Sequence, residues 1–320
     1  MFKTLLLART TFEEMVRQPA FFFSFFGVGL VISLTPFFTM FAFYDTNRLL
    51  IEMGMASITV MSLVAVSLTA SHSIHSEIKR KTALLILTKP VSRLSFLMGK
   101  YLGVIACGAT IIFFHSILLM MVIRMGAPET AAYVVDQPCV GAIVCIFTFS
   151  MIYGFYQNYF NNKSFTAQSV KSAIFIAIFF VLVVGVFDRQ WAMSGYWKDF
   201  SIELAKGLFL VLLSMLVLSG ISVMLSAYIG KDSNLIITFS VFVIGLLSDR
   251  YLGSIQESNF FIQTCYRFTP NFHVFLVSDT IVFNRYIPPS YLFNSVMYTV
   301  MYLGGLLALS IVLFDRKEVA

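Results

Sequence analysis

Long apolar runs are the feature that most constrains this chain. Six of them have about the 20 residues that a helix needs to cross the hydrocarbon core of a bilayer: Ala20–Tyr44, Met53–Ile74, Tyr101–Ile123, Leu204–Ile229, Leu235–Leu252 and Tyr291–Phe314. Of the 320 residues, 58% are hydrophobic and 12% are charged, whereas soluble domains carry about 25% charged residues. A soluble core could not bury this much apolar surface. The pattern therefore predicts an all-α, polytopic bundle of transmembrane helices whose immediate surroundings are the lipid bilayer.

Two further apolar runs, Cys139–Phe155 and Ala173–Phe187, are shorter and are separated by the polar stretch QNYFNNKSFTAQSVKS. They could be two full spans or a re-entrant pair, which gives a total of eight spans or six. We favour eight.

The distribution of cations predicts the orientation. With eight alternating spans, 14 of the 22 Lys and Arg residues fall on the side that holds both termini. Because cytoplasmic loops are enriched in Lys and Arg, we expect both termini in the cytoplasm and the chain in the cell (inner) membrane. A six-span arrangement gives the same termini. The whole chain, residues 1–320, is then one membrane domain with an amphipathic N-terminal helix (1–19), a cytoplasmic segment (76–100) and an outer loop (253–289).

Sites for nucleotides and metals are not expected. The two Gly-Lys pairs, Gly99-Lys100 and Gly230-Lys231, lack the other residues of a P-loop. His72 and His75 lie on one face of a helix, but Glu77, five residues after His72, lies on a different face. The three residues are therefore not spaced as a metal site. His115, near the middle of its span, is interpreted as a hydrogen-bonded packing residue rather than a proton relay. We expect no cofactor, no metal and no nucleic-acid partner.

The densest cluster of positive charge is SEIKRKTALLILTKPVSRLSFLMGK, residues 76–100. It predicts a short helix with exposed apolar side chains, which Pro90 ends and which is basic on both sides. A stiff element of this kind suits docking into a groove of a cytoplasmic partner. It equally suits an interfacial helix lying on anionic lipid, and the residues alone leave both readings open.

This segment resembles the cytoplasmic loop of ABC-2 type transporter permeases. The matching residues are Glu77, Thr82, Lys89, Pro90, Val91, Ser92, Arg93, Gly99 and Lys100, while Lys81 stands where many members have glycine. ARTTFEEMVRQPAFF near the start, SAYIGKDSNLIITF, TPNFHVF and the terminal LFDRKEV also resemble the family, in its order and spacing. The stretch from Gly126 to Ser201 is the least covered.

The resemblance implies a non-catalytic permease subunit, dimerised with itself or a related chain, most consistent with an exporter. A separate ABC ATP-binding subunit would dock beneath it and hydrolyse the ATP. The resemblance places the docking and coupling residues at Glu77, Thr82, Leu84, Leu85, Lys89, Pro90 and Arg93. Two alternatives remain at this stage: an ion-coupled secondary carrier, and a membrane anchor that assembles a complex without transporting anything.

Overall fold

Most of the residues that the structure describes are in helices. The structure is a computed structural model and describes residues 2–39, 46–75, 93–126, 135–193, 201–251, 264, 266 and 268–316. Its α-helices are α1 (Phe2–Val16), α2 (Pro19–Thr39), α3 (Thr46–Ala70), α4 (Arg93–Met125), α5 (Gln137–Asn161), α6 (Phe165–Val184), α7 (Ile202–Ser226), α8 (Lys231–Tyr251), α9 (Ser278–Val282) and α10 (Pro289–Arg316). Within these ranges no strand forms, and Phe187 and Met193 make an isolated bridge.

Eight helices, α2 to α8 and α10, are long and apolar enough to cross a membrane. The prediction of an all-α bundle with eight spans is therefore confirmed, and the two short apolar runs are two separate helices, α5 and α6. Because the number of spans is even, the start of α2 and the end of α10 lie on the same side. We call this side the terminal face. It also holds the end of α3, the start of α4, the α5–α6 turn and the α7–α8 turn.

The α5–α6 hairpin is closed by local signals in the sequence. Asp136 caps α5, since its Oδ1 accepts a hydrogen bond from the amide of Cys139 at 3.0 Å. Asn162 ends the helix in the left-handed conformation, with φ 51°. Gly154 then lets α6 approach closely, because a Cβ there would lie 1.9 Å from Ser169 Oγ.

Pro36 lies inside α2 without interrupting it. Proline has no amide to offer the carbonyl four residues earlier, which belongs to Ile32. The hydroxyl of Thr35 donates to that carbonyl at 2.7 Å, as membrane helices require when water is absent. α2 therefore remains one continuous helix through Pro36.

The bundle packs around α4 and α7. In the most apolar stretch of α7, 72% of the residues are buried. The corresponding value for α10 is 11%, so most of the surface of α10 is left to lipid or to another chain. Between α2 and α4, the rings of Phe25 and Phe114 stack with centroids 4.2 Å apart. His115, next to that pair, places Nε2 2.9 Å from the carbonyl oxygen of Phe25. A carbonyl only accepts, so Nε2 carries the proton, which supports the packing interpretation of this histidine.

The α5–α6 turn offers a direct test of orientation. In a chain whose four native cysteines are replaced, we expect Asn162→Cys to react with a membrane-impermeant maleimide from the cytoplasmic side, since Asn162 is exposed on the terminal face. Met193→Cys is the matched control. It is 83% exposed at the other end of α6 and should react from the outside. Labelling of both positions from the same side would contradict the eight-span topology.

Candidate functional site at the terminal face

The predicted coupling residues lie at the edge of what the structure describes. Glu77, Thr82, Leu84, Leu85, Lys89 and Pro90 fall outside the described residues. Arg93 is the first residue of α4, and its side chain is also outside them. The structure describes the two helix ends that hold this segment, which are the end of α3 and the start of α4. It also describes the helices that pack against them.

The first of these ends is a π-helical turn. Ser71–His75 continues α3 with the wider π geometry, which in α-helices occurs mostly as short bulges and often at functional sites. Ser71, Ser73 and Ile74 are buried, whereas His72 is exposed. His75 reaches the α7–α8 turn, since a Cβ at Gly230 would lie 3.9 Å from its Nε2. The chain thus leaves α3 in contact with the turn between two other spans.

A buried amide joins the same three helices one turn deeper. The side chain of Asn234, in α8, is fully buried. Its Nδ2 donates to the carbonyl of Ser67 in α3 at 3.3 Å and to Ser222 in α7, at 3.0 Å for the hydroxyl and 3.3 Å for the carbonyl. Its Oδ1 accepts from Thr238 at 3.3 Å. We call these four residues the Asn234 junction.

The second end, α4, is held by the N-terminal helix. α1 lies across α4 at Gly99 and Gly103, where added Cβ atoms would come within 2.7 Å of Leu7 Cβ and 2.6 Å of Thr11 Cβ. The backbone of α1 is equally close, with the carbonyl of Ala8 2.9 Å from the Cβ position of Gly103. The sequence predicts close helix packing at this small-residue pair, and the structure identifies α1 as the partner.

Lys100, at the same end of α4, is also buried. The residue is only 2% exposed, and its Nζ lies 5.7 Å from the ring centroid of Phe96, a cation–π distance. A lysine held this way at the start of a span cannot reach freely into water. It therefore belongs to the packing of the α4 end and is not a topology anchor on the surface.

The opposite face carries an ion pair that the sequence reasoning missed. Arg124, at the end of α4, places Nε 3.0 Å from Oδ2 of Asp136, with the two side chains 2% and 0% exposed. The same guanidinium donates to the carbonyls of Val184, the last residue of α6, and Phe187, the latter at 2.6 Å. It thereby satisfies the carbonyl of Val184, which the end of α6 leaves open, and a second carbonyl in the turn that follows. Removing one partner of a buried pair costs about 3–5 kcal/mol, so this cluster fixes α4 to the α5–α6 hairpin.

The described residues contain no group of three or more side chains suited to holding a metal ion. His72 and His75 are among them, whereas Glu77, their possible third partner, is not. Among the described acidic residues, Asp136 is the buried one, and it is paired with Arg124 at a helix start. The described spans therefore show no carboxylate at mid-membrane depth of the kind that ion-coupled carriers use.

Comparison with known proteins agrees with the resemblance found in the sequence. A sequence model of the family described as ABC-2 family transporter protein matches residues 18–231, which is more than half of the chain. The match begins where α1 ends and reaches the first residue of α8. It therefore includes the basic segment, both helix ends that hold it, and the α5–α6 hairpin. No curated protein matches this chain.

The glycine contact predicts how α1 is held. Gly103→Leu should lower the free energy of unfolding by about 1–3 kcal/mol, because the new side chain overpacks the α1–α4 contact. Gly27→Leu in α2 is the control, since nothing lies within 4 Å of its Cβ position. Unfolding in mixed detergent micelles measures both. Equal effects of the two substitutions would show that α1 does not pack on α4 at this position.

Proposed function

Since this chain belongs to the ABC-2 family of transporter membrane proteins, we propose that it is the permease subunit of an ABC transporter, driven by a separate ATP-binding subunit. Members of this family are membrane transport components and generally associate with such subunits. In this chain the Gly-Lys pairs do not form a P-loop. ATP hydrolysis is therefore assigned to the partner, and the permease would act as a non-catalytic subunit.

One observation carries the proposal: the two helices that hold the ends of the basic segment each pack closely against other helices. The segment leaves α3 at the π-turn and returns at Arg93 in α4. α3 is tied to α7 and α8 through the Asn234 junction, and α4 is tied to α1 through Gly99 and Gly103. A displacement of the segment would thus be passed to five closely packed helices, α1, α3, α4, α7 and α8.

The proposed mechanism is rigid-body coupling. Closure of the ATP-binding subunits would push on the segment through the apolar side chains Leu84 and Leu85, with Glu77, Lys89 and Arg93 forming polar contacts at its edges. Pro90 would keep the segment short and stiff. Packed helices respond to such a push by moving as units rather than by deforming. Alternating access would follow from the movement of these units against one another.

Export, dimerisation and location in the cell inner membrane belong to the same proposal and rest on the family resemblance and the charge distribution. A second permease chain would complete the translocation path. α10 offers a surface for this second chain, because it is the least buried of the eight spans. Nothing lies within 4 Å of the positions that a Cβ would take at Gly304 and Gly305. Small residues on an exposed face allow close approach of a second helix.

The docking residues are tested by charge substitution. Leu85→Asp combined with Arg93→Glu should weaken binding of the ATP-binding subunit at least about tenfold, since an apolar anchor at the centre of an interface typically contributes ~2 kcal/mol or more. ATP turnover of the complex should fall in parallel. Co-purification and a titration of ATPase activity measure the two effects.

The matched control is Leu5→Asp combined with Lys231→Glu, which makes the same charge changes elsewhere on the terminal face. Leu5 is 56% exposed, and Lys231 is exposed at the start of α8. This variant should keep its affinity for the ATP-binding subunit. Equal affinity of both variants and the parent chain would refute the docking assignment.

A further inference from the structure

Two adjoining cavities at the terminal face have the form of a phospholipid, and we infer that they bind one anionic phospholipid, with its phosphate between α1 and the α5–α6 turn and an acyl chain along α5 and α6. The first is polar and the second is apolar, and Gln168 and Lys171 of α6 line both. None of the residues that line the two cavities belongs to the basic segment, residues 76–100.

The polar cavity, which we call the cleft, has a volume of about 350 Å³. α1 and the residue after it contribute Phe12, Glu13, Val16 and Arg17, and the turn and start of α6 contribute Asn162, Lys163 and Ser164 together with Lys171. Arg17, Lys163 and Lys171 bring three cations to it. In the part of the chain that the structure describes, none of their side chains makes a hydrogen bond or an ion pair within 4.0 Å.

The acidic residue in the cleft offsets only part of the charge of these cations. Glu13 accepts a hydrogen bond from Arg9 Nε at 2.9 Å, on the same helix. That hydrogen bond is the main reason that the pKa of Glu13 is lowered, with the nearby charges of Arg9, Lys171 and Arg17 adding to it. The ionised carboxylate is thus shared with Arg9, and the cleft keeps an excess of positive charge that favours an anion.

The apolar cavity, which we call the groove, has a volume of about 660 Å³ and continues from the cleft along α5 and α6. Its walls include Phe149, Ile152 and Tyr156 of α5 and Phe175 and Ile176 of α6. Phe149, Ile152, Tyr156 and Phe175 are all more than half exposed on this side of the bundle. A free phosphate would leave the groove empty, whereas an acyl chain of a phospholipid would fill it.

The depth of the cleft fits the headgroup region. Lys171 lies six residues into α6, about 9 Å from the helix start, and a lysine there extends its ammonium towards the interface while its stem covers apolar surface. Basic pockets at the cytoplasmic ends of spans are sites at which anionic headgroups bind. An occupied cleft would join α1, which packs on α4, to the α5–α6 hairpin.

The test uses the full-length chain in vesicles and needs no ATP-binding subunit, so its failure leaves the proposed function untouched. Tyr156→Trp places a fluorophore in the groove of a chain whose own tryptophans are changed, Trp191→Phe and Trp197→Phe. Brominated phosphatidylglycerol and brominated phosphatidylcholine are each mixed with the unbrominated lipid, and fluorescence quenching gives their relative affinities. We expect phosphatidylglycerol to be preferred at least about fivefold, the effect of one cation near an anionic headgroup.

Two variants with equal charge changes distinguish the contribution of the cleft to lipid selection from that of other cations on the terminal face. Lys163→Gln with Lys171→Gln removes two of the three cations and should reduce the preference by at least about fivefold, while Lys3→Gln with Lys231→Gln should leave it unchanged. Elution of each variant as a single species shows that it is folded. If the first double variant fails to fold, Lys163→Gln alone, at an exposed turn position, should halve the preference or reduce it further.

Three results would overturn the inference. Equal quenching by the two lipids would mean that no anionic lipid is selected. A preference that is unchanged by loss of both lysines would place the selectivity outside the cleft. Loss of the preference when millimolar sodium phosphate is added at constant ionic strength would assign the cleft to a free anion rather than to a lipid.

Discussion

The hydrogen bonds of Asn234 are the interaction on which the terminal face depends. A buried amide away from water has to find its partners within the protein, because an unsatisfied polar group there costs several kcal/mol in a bilayer. Asn234 meets this requirement by binding Ser67 in α3 and Ser222 in α7 at once. The three helices can therefore not separate at this level without exposing the amide. That constraint makes the end of α3, from which the basic segment departs, part of a single unit with α7 and α8.

The two faces of the bundle are held by different means. At the terminal face, close backbone contact at Gly99 and Gly103 and one buried amide hold helices that remain apolar. At the opposite face, a buried ion pair between Arg124 and Asp136 locks α4 to the α5–α6 hairpin. Apolar contacts at small residues allow sliding more readily than a buried pair, which is costly to break. The arrangement suits a movement that begins at the terminal face, with α4 and the α5–α6 hairpin moving together at the opposite one.

Much of this fold could be predicted from the sequence, because a bilayer demands long apolar helices and the chain shows them plainly. The α5–α6 hairpin was harder. Its helices extend past the apolar runs into polar residues, and the reason is local: Asn161 donates to Gln157, and Gln157 donates to Tyr153, at 2.9 and 2.8 Å. These side chains lie along one helix face and satisfy each other's hydrogen-bonding groups. The helix can therefore continue through polar residues, and hydropathy alone underestimates the length of α5.

The site was predictable only in part. The small-residue pair Gly99 and Gly103 signalled close packing, but no pattern in the sequence names α1 as the partner. The pair of Arg124 and Asp136 has no periodicity to reveal it, because its members lie on either side of a connection and meet only through the tertiary fold. An arginine that ends an apolar span and an aspartate that caps the next helix were the available signals. Each is common by itself.

The central claim is that a push on the basic segment reaches the opposite face through the Asn234 junction. Pulsed electron spin resonance on the complex with the proposed ATP-binding subunit, with spin labels at Met193→Cys and Phe283→Cys, measures the distance across that face with and without ATP. The account predicts that ATP shifts this distance in the parent chain. In Asn234→Leu it predicts no shift, although the ATP-binding subunit still binds. An unchanged shift in Asn234→Leu would contradict it.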